Sequence, residues 1–448
     1  MLFAVRINAK SDFTGPMKKY YLTTFGCQMN VHDSEKMAGI LKAEGLLEAA
    51  GPDDADIIIF NTCSIRQKAE QKFYSELGRL KALKKIKPDL KIAVSGCIAQ
   101  QEGKKMLKRT PYVDYIMGPQ NIHLLKDIFK SKPARVSVED NPLMADMEFP
   151  VDRRDNLKAW VNIMYGCNNF CSYCIVPYTR GREKSRAKDS IINEIRSLAE
   201  SGCKEVTLLG QNVNSYRSSV DFPGLLKEIN NISGIKRIRF MTSHPKDLTE
   251  DLVYAISDLD KVCEHIHLPL QSGSTKVLGL MNRKYSYADY LRGVDRLREE
   301  IPEIAITSDI IAGFPQETEE DHECTIKALK DIQFDGLFAF MYSARPGTRA
   351  AAIDGHIPEN IQSQRLAEIL ELQNDITNLK NKELEGTVQE ILIEKEYPEN
   401  SDNLIGRTRA NKIIPIPWSS NINPGDIVKV KIIKAHLHSL EAEVISEG

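Results

Sequence analysis

Three cysteines lie close together near the middle of the chain. Cys167, Cys171 and Cys174 form the run C-N-N-F-C-S-Y-C, a C-x3-C-x2-C spacing, and we call them the central triad. Three thiolates suit a [4Fe–4S] cluster in which one iron has no protein ligand, because four cysteines normally complete such a cluster. An iron with an open site can bind and activate a substrate. The alternative is a zinc site that takes a fourth ligand from elsewhere in the chain.

Three further cysteines, here called the N-terminal triad, each follow a predicted strand. Cys27 ends LTTFGC, Cys63 ends IIIFNTC and Cys97 ends IAVSGC. The strands are predicted to be parallel, so their C-terminal loops converge at one edge of the sheet. Three thiolates could therefore meet there and hold a second cluster with an open iron. The alternative is that these cysteines are small buried apolar side chains, since Cys packs well in cores.

The remaining cysteines have no such neighbours. Cys203, Cys263 and Cys324 are isolated in the sequence, and we expect all three to be structural. Nine cysteines, an odd number, in a large chain without a secretion signal argue against a disulfide scaffold. Clustered cysteines in a reducing compartment more often bind metal or carry out redox chemistry.

Composition sets the broad class of the protein. The chain has 448 residues, of which 42% are hydrophobic and 27% charged, which permits a packed core and suggests about three domains. The formal net charge of −2 excludes nucleic-acid binding by bulk charge, so any RNA contact must be local. No apolar run reaches the ~18 residues of a membrane helix, and no signal peptide is evident. We expect a cytoplasmic protein that does not bind membranes.

The first part of the chain alternates strands and helices. We predict strands over 20–25, 56–60 and 91–95, and helices over 32–44, 67–85 and 100–109. This alternation predicts a parallel sheet covered by helices. Residues 1–17 are expected to be a flexible lead-in, 18–135 an N-terminal domain and 136–152 a linker.

A second strand–helix series follows over 153–385. Its six predicted strands lie at 160–164, 205–209, 236–241, 265–268, 305–311 and 336–341. Six units at this spacing predict a partial (β/α)6 barrel. Residues 386–448 instead contain short alternating strands with Gly and Pro turns, which predict a small β-barrel of about five strands. The predicted fold class is thus α/β, with a small β-barrel at the C-terminus.

The motifs resemble those of one enzyme family. The C-x3-C-x2-C spacing resembles the signature of the radical S-adenosylmethionine (SAM) superfamily. From about residue 18 to residue 448 the chain resembles the MiaB family of tRNA methylthiotransferases. The motifs that carry this resemblance are GCQMN (26–30), NTCSIR (61–66), SGCIAQQEG (95–103), YGCNNFCSYCIVPYTRGREKSR (165–186), LLGQNVNSY (208–216), TSHP (242–245), LPLQSGS (268–274), MNRKY (281–285) and DIIAGFPQET (309–318).

The resemblance implies a reaction and its cofactors. It implies two [4Fe–4S] clusters: the central triad would hold the cluster that binds SAM, and the N-terminal triad an auxiliary cluster that carries sulfur. Two equivalents of SAM are used per turnover, one to methylate the sulfur and one to form a 5′-deoxyadenosyl radical. The radical removes hydrogen from C2 of N6-(dimethylallyl)adenosine at tRNA position 37, where the methylthio group is installed. The implied protein is a monomer that receives electrons from a donor such as flavodoxin or ferredoxin.

Other functions stay open at this point. Sister methylthiotransferases modify threonylcarbamoyl-adenosine in tRNA or a ribosomal protein. GCQMN and NTCSIR resemble the MiaB pattern more than the sister patterns. From another class, the chain could be a non-catalytic iron–sulfur protein that binds RNA or transfers electrons, or a zinc-containing RNA-binding protein.

Polar residues at the ends of the barrel strands are candidates for binding SAM. Gln211 and Asn212 follow the second strand, Ser243 the third, Gln271 the fourth, and Asp309 lies on the fifth. Relatives place polar contacts to the cofactor at such positions, on the rim where the strands of a barrel end.

Two basic runs are candidates for contact with the tRNA anticodon stem-loop. Arg180 and Arg186 follow the central triad, and Arg407, Arg409 and Lys412 lie in GRTRANK (406–412). The C-terminal barrel resembles a TRAM domain, an RNA-binding fold, and phosphate contacts are plausible in these runs. The alternative for both is a solvated charged face.

Overall fold

The computed structural model describes residues 17–64, 67–129, 135–396, 403–419 and 421–445. The chain forms two compact units. The N-terminal unit extends to Arg154 and also includes Tyr178–Gly181; the C-terminal unit comprises Asp155–Pro177 and Arg182–Gly448. Apart from Met17, the predicted lead-in lies outside the described residues. No helix in the described part of the chain is long and apolar enough to cross a membrane.

The N-terminal unit is built on a six-stranded parallel sheet with strand order β2-β1-β3-β4-β5-β6. Every residue of the central strand β3 is buried, as expected where helices cover both faces of a parallel sheet. Its strands are β1 (Lys19–Thr24), β2 (Leu47–Glu48), β3 (Ile57–Thr62), β4 (Lys91–Gly96), β5 (Tyr115–Met117) and β6 (Val136–Ser137). Its helices are α1 (Gln28–Ala43), α2 (Gln67–Ile86), α3 (Cys97–Glu102) and α4 (Lys104–Arg109).

The predicted parallel sheet is confirmed, but it is wider than the sequence indicated. Strands β2, β5 and β6 have two or three residues each, too few to show a period. The segment 136–152, predicted as a linker, begins with β6, whose Val136 pairs with Ile116 of β5. Further along, the backbone N–H of Asp152 donates to the carbonyl of Glu35 at 3.0 Å. This segment therefore packs as part of the N-terminal unit.

The C-terminal unit contains the predicted six parallel barrel strands. They form two three-stranded sheets, β11-β10-β7 and β12-β13-β14, which a parallel bridge between Ile238 and Val262 connects. The strands are β7 (Lys158–Asn162), β10 (Glu205–Leu209), β11 (Arg237–Phe240), β12 (His265–His267), β13 (Ala305–Ala312) and β14 (Gly336–Met341), and a separate antiparallel pair is β8 (Met164–Tyr165) and β9 (Lys184–Ser185). The helices are α5 (Val176–Thr179), where the chain passes from one unit to the other, α6 (Lys188–Glu200), α7 (Phe222–Asn230), α8 (Glu250–Asp258), α9 (Thr275–Leu280), α10 (Tyr287–Glu300), α11 (Glu319–Ile332) and α12 (Glu359–Lys382).

After α12 the chain forms a nearly closed antiparallel barrel with strand order β17-β16-β15-β18-β19. Its edge strands β17 and β19 contact each other, and alternate residues such as Ile391, Ile414 and Ile432 fill its interior. The five strands, which confirm the predicted small barrel, are β15 (Val388–Glu396), β16 (Asn403–Thr408), β17 (Ile413–Pro417), β18 (Ile427–Ala435) and β19 (Leu440–Val444).

Candidate metal centres and cofactor rim

The central triad lies on a loop that a short antiparallel pair closes. Strands β8 and β9 pair through Met164 with Ser185 and Tyr165 with Lys184, so the ends of the loop are held together. Within it, Cys167 and Cys171 are buried and Cys174 is half-buried. The structure thus brings the three predicted ligands onto one constrained loop beside the first barrel strand.

Residues after α9 hold this loop in place. The Ser172 backbone N–H donates to the carbonyl of Met281 at 2.9 Å. The side-chain amide of Asn282 donates to the carbonyl of Phe170 at 2.8 Å, where the backbone has a positive φ of 48°. Because a non-glycine residue is strained at such a φ, the bond from Asn282 stabilises the conformation that presents the cysteines.

Arg283 is a functional candidate that sequence reasoning missed. Its guanidinium is buried, donates to Cys171 Sγ at 3.4 Å and to the carbonyl of Pro269 at 2.9 Å. The guanidinium therefore places a fixed positive charge beside this sulfur. The motif MNRKY (281–285) contains the residue, but its spacing gives no sign that Arg283 contacts a cysteine more than a hundred positions earlier.

The thiols of Cys167 and Cys174 are hard to ionise because they are buried. Burial raises the pKa of Cys167 to about 11, and burial raises the pKa of Cys174 to about 12. The neighbouring Cys171 raises both pKa values further. Bound iron would supply the positive charge and release the protons.

The N-terminal triad lies at one edge of the parallel sheet. Cys27 precedes α1, Cys63 follows β3, and Cys97 begins α3 directly after β4. Cys63 and Cys97 are buried and Cys27 is half-buried. Their strands β1, β3 and β4 are neighbours in the sheet, so the predicted convergence of the three loops is what the topology produces.

Two glycines allow these loops to approach closely. A Cβ on Gly26, at φ +144°, would lie 2.5 Å from the Cβ of Cys63. A Cβ on Gly96, at φ +91°, would lie 2.2 Å from the carbonyl oxygen of Thr62. No side chain tolerates such distances, so the glycine before two of the three cysteines is required by the packing of the loops.

Buried amides connect the loops of the N-terminal triad. The Asn30 side chain donates to the Thr62 carbonyl at 2.9 Å, and the Asn61 side chain donates to the Asn30 carbonyl at 2.8 Å. Cys27 Sγ donates to Asn30 Oδ1 at 3.3 Å. These asparagines in GCQMN and NTCSIR therefore fix the position of the thiols, since buried amides are costly to leave unpaired.

Arg180, predicted to bind RNA, lies in the N-terminal unit as the buried partner of Asp33. Its Nη2 is 2.8 Å from Asp33 Oδ2, and the side chains are 5% and 2% exposed. Burial lowers the pKa of Arg180, but Asp33 and the nearby Cys97 and Cys27 raise it well above the usual value. A hydrogen bond with Cys63 lowers the pKa of Cys27. Burial raises this pKa, and the charge of Arg180 lowers it.

Four polar atoms at the barrel rim have no hydrogen-bond partner among the described residues. They are Gln211 Oε1 and Asn212 Oδ1 after β10, and Ser243 Oγ and His244 Nε2 after β11. The two turns are joined, since Asn214 donates to the His244 carbonyl at 3.0 Å and accepts the His244 backbone N–H at 2.8 Å. Buried polar atoms without a partner are rare in folded proteins and indicate a missing ligand or water.

The other two predicted cofactor residues are Gln271, which follows β12, and Asp309, which lies on β13. Gln271 is buried with φ 76°, and its backbone N–H donates to the Asp309 carbonyl at 2.8 Å. The Asp309 carboxylate is 3.4 Å from His267 Nε2 and 29% exposed. His267 also lies 3.0 Å from Thr307 Oγ1.

Arg186, the second basic residue after the central triad, is engaged within the protein. It is buried, donates to the Asn162 carbonyl at 2.6 Å and lies 2.8 Å from Glu194. Its contacts hold the start of α6 against the end of β7. They give no support to a role in binding RNA.

The basic run GRTRANK (406–412) attaches the small barrel to the starts of the large-barrel strands. Arg409 pairs with Glu264 at 2.6 Å, Arg407 pairs with Glu394 at 2.6 Å, and Lys412 donates to Asn381 at 2.7 Å. Reciprocally, buried Arg237 and Arg239 donate to the carbonyls of this run, at 2.6 Å to Arg407 and at 2.7 Å to Thr408. The side chains predicted to contact RNA are thus engaged in contacts within the protein.

The described residues show no site arranged for a single metal ion. Across the described residues, no three His, Cys, Asp or Glu side chains are arranged to bind one metal ion. Zinc needs four ligands around one point, about 2.3 Å away for sulfur. The thiolates of a four-iron cluster bind separate iron atoms and stand farther apart. The zinc alternative therefore gains no support.

The three isolated cysteines divide into two kinds. All nine cysteines are described, and all are thiols without a disulfide. Cys203 and Cys263 are 1% exposed and pack in the core as expected. Cys324 is exposed on α11, so the expectation that it packs as a structural residue is wrong. The amphipathic pattern of the helix did not show on which side of its boundary Cys324 falls.

Comparisons with known proteins cover all three parts of the chain. Residues 19–118 match the uncharacterized protein family UPF0004, 161–329 the radical SAM superfamily and 382–445 the TRAM domain. A tRNA-2-methylthio-N(6)-dimethylallyladenosine synthase of Thermodesulfovibrio yellowstonii is 58% identical, covering 95% of this chain and 98% of its own. The protein of the same name from Caldicellulosiruptor saccharolyticus is 48% identical, covering 98% and 95%.

Solved structures share the fold at low identity. The radical SAM methyltransferase TsrM from Kitasatospora setae, with cobalamin and a [4Fe-4S] cluster bound, matches with a TM-score of 0.54 and 16% identity over 75% of this chain and 77% of its own. The cobalamin-dependent radical enzyme OxsB matches with a TM-score of 0.51 and 11% identity over 80% and 56%. At this identity the likeness concerns the fold alone.

Proposed function

The chain belongs to the tRNA-2-methylthio-N(6)-dimethylallyladenosine synthase family, and we propose that each of its two cysteine triads holds a [4Fe–4S] cluster. The enzyme transfers a methylthio group to C2 of N6-(dimethylallyl)adenosine in tRNA. It is a radical SAM enzyme, so it uses a [4Fe–4S] cluster and SAM. Two clusters, two equivalents of SAM per turnover and modification at position 37 are part of the proposal.

The observation that carries the proposal is the pair of buried triads, each with its own arginine. The central triad has Arg283 next to Cys171, and the N-terminal triad has Arg180 near Cys27 and Cys97. A cluster bound by three thiolates carries negative charge, which a buried guanidinium stabilises at short range. When bound, the central cluster and SAM supply the radical chemistry that the reaction needs.

The unpartnered atoms of the rim are the proposed contacts for SAM. Gln211, Asn212, Ser243 and His244 offer acceptors and potential donors to the amino, carboxylate and hydroxyl groups of the cofactor. Gln271 and Asp309 remain predictions, since neither side chain is among those with a buried polar atom that lacks a hydrogen-bond partner. Burial lowers the pKa of His244 to about 2, so its imidazole is neutral and binds as a hydrogen-bonding group.

The remaining partners follow from the family. The substrate is tRNA, which the TRAM domain is suited to bind. We propose that the anticodon stem-loop is the bound part, that flavodoxin or ferredoxin donates the electrons, and that the enzyme acts as a cytoplasmic monomer. The predicted RNA contacts are Arg180, Arg186, Arg407, Arg409 and Lys412, but their internal ion pairs and hydrogen bonds favour a structural role for them.

The iron content and two cysteine variants test the proposed clusters. We expect about eight irons per chain after purification without oxygen, since each cluster contains four. Cys171→Ala should abolish formation of 5′-deoxyadenosine, whereas Cys63→Ala should retain that step and lose insertion of sulfur. Cys324→Ala, at an exposed cysteine, is the matched control and should keep all the iron. Zinc without iron, or full product from Cys63→Ala, would contradict the proposal.

The nature of the substrate is tested separately. The reconstituted enzyme should add a methylthio group to tRNA that contains dimethylallyl-adenosine, as measured by mass spectrometry of the nucleosides. Threonylcarbamoyl-adenosine tRNA should give no product. Reaction with the second RNA alone would indicate a sister enzyme.

A further inference from the structure

The inner face of the last barrel strand exposes two phenylalanines. Phe338 is 55% and Phe340 44% exposed, and among the described residues they are the only exposed phenylalanines. Both lie on β14, two positions apart, so their side chains point to the same face. A pair of exposed aromatic rings on one face is a typical sign of a binding surface.

The register shows that this face is opposite the helices. Leu337 and Ala339, which alternate with the phenylalanines, pack against the core that helices and strands share. Phe338 pairs with Asp309 and Phe340 with Ile311 across β13, so the rings lie on the face that carries the predicted cofactor residue Asp309.

The same face continues to the central triad. Ile311, the cross-strand partner of Phe340, packs against the apolar cluster that Tyr173 also joins. Tyr173 lies between Cys171 and Cys174 in the cysteine loop. The strand that pairs with β14 at Phe340 therefore packs against the same apolar cluster as the cysteine loop.

The polar groups beside the rings are already paired. The His267 ring lies edge-on to Phe338 with centroids 6.1 Å apart, and it also contacts Thr307 and Asp309. The part of this face that lacks a partner is thus apolar and aromatic. A flat base stacks on such rings, and a branched five-carbon chain is favoured by the same apolar surface.

We propose that Phe338 and Phe340 bind the dimethylallyl-adenine of the substrate tRNA and determine the preference for a prenylated base. The inference rests on the proposed function, because it takes the substrate of the family as the occupant. A base must leave its stack before C2 can react, and an aromatic surface inside the barrel receives such a base. The prenyl group adds apolar area that an unmodified adenine lacks, so the rings favour the modified base.

The test compares two RNAs on the holoenzyme. An anticodon stem-loop with dimethylallyl-adenosine and the same RNA with unmodified adenosine compete for the enzyme in a binding assay, and product formation is followed in parallel. We expect Phe338→Ala and Phe340→Ala each to reduce the preference for the prenylated RNA by about tenfold, the discrimination that a small apolar group provides. The loss should fall mainly on Kd and KM.

Further variants separate this role from a general effect. Phe338→Leu keeps an apolar side chain and should recover part of the preference, while Tyr254→Ala, at an exposed aromatic on helix α8, should change nothing. An unchanged binding preference in both alanine variants would overturn the inference. If the wild-type enzyme made no methylthio product but still preferred the prenylated RNA, the proposed function would fail and this inference would stand.

Discussion

The buried ion pair between Arg180 and Asp33 predicts that Arg180, which follows the central triad in the sequence, stabilises the fold and does not bind RNA. In the structure the two charges are 2.8 Å apart and almost inaccessible to solvent. Replacing Arg180 with Met keeps the volume of the stem and removes the charge, which leaves Asp33 buried without its partner. Removal of one member of a buried pair costs about 3–5 kcal/mol.

The expected loss of stability is large enough to measure as a shift in the thermal transition of the N-terminal unit. For a domain of this size, 1 kcal/mol shifts Tm by roughly 2–4 °C, so Arg180→Met should lower the transition of this unit by about 6–20 °C. Calorimetry of the apoprotein, with hydrogen exchange of α1 as a local measurement, gives the shift. The auxiliary cluster should also be lost more readily, since Arg180 lies near two of its proposed ligands.

A matched control distinguishes burial from charge. Lys19 and Asp54 form a pair at the same distance, 2.8 Å, but their side chains are 39% and 49% exposed. Lys19→Met should therefore cost about 1 kcal/mol or less. If Arg180→Met left the stability unchanged and instead weakened RNA binding with a smaller salt dependence, the reasoning from the structure would be refuted and the sequence-based RNA role supported.

Three further predictions address other parts of the chain. Arg409→Ala should increase the proteolysis of the C-terminal barrel, because it breaks the ion pair with Glu264. The affinity of the folded protein for RNA should stay the same. A clear loss of RNA affinity without destabilisation would contradict this prediction. Gly96→Ala should lower the iron content by about half and destabilise the N-terminal unit by roughly 1–3 kcal/mol or more. The added Cβ meets the Thr62 carbonyl, and the φ at this position is one that only glycine adopts readily. A normal iron content would show that the loops can shift. Cys324→Ser should retain activity and remove the thiol that reacts first with an alkylating reagent, as peptide mass spectrometry would show.

Local sequence determined much of this protein. The C-x3-C-x2-C spacing lies within eight residues, and each cysteine of the N-terminal triad closely follows a segment that reads as a strand. These signals need no knowledge of distant residues, because hydrophobic periodicity and ligand spacing are properties of short segments. The parallel sheet, the partial barrel and the small C-terminal barrel could be predicted for the same reason.

Tertiary structure decided what the charged and aromatic side chains do. Arg180 and Arg409 look alike in the sequence, as members of basic runs, but their acidic partners are 147 and 145 residues away. Phe338 and Phe340 alternate like any strand residues, and only the packing of the opposite face of β14 against the core shows that their face is the exposed one. Whether a side chain is paired, buried or exposed depends on which distant segments fold against it, and no local pattern contains that information.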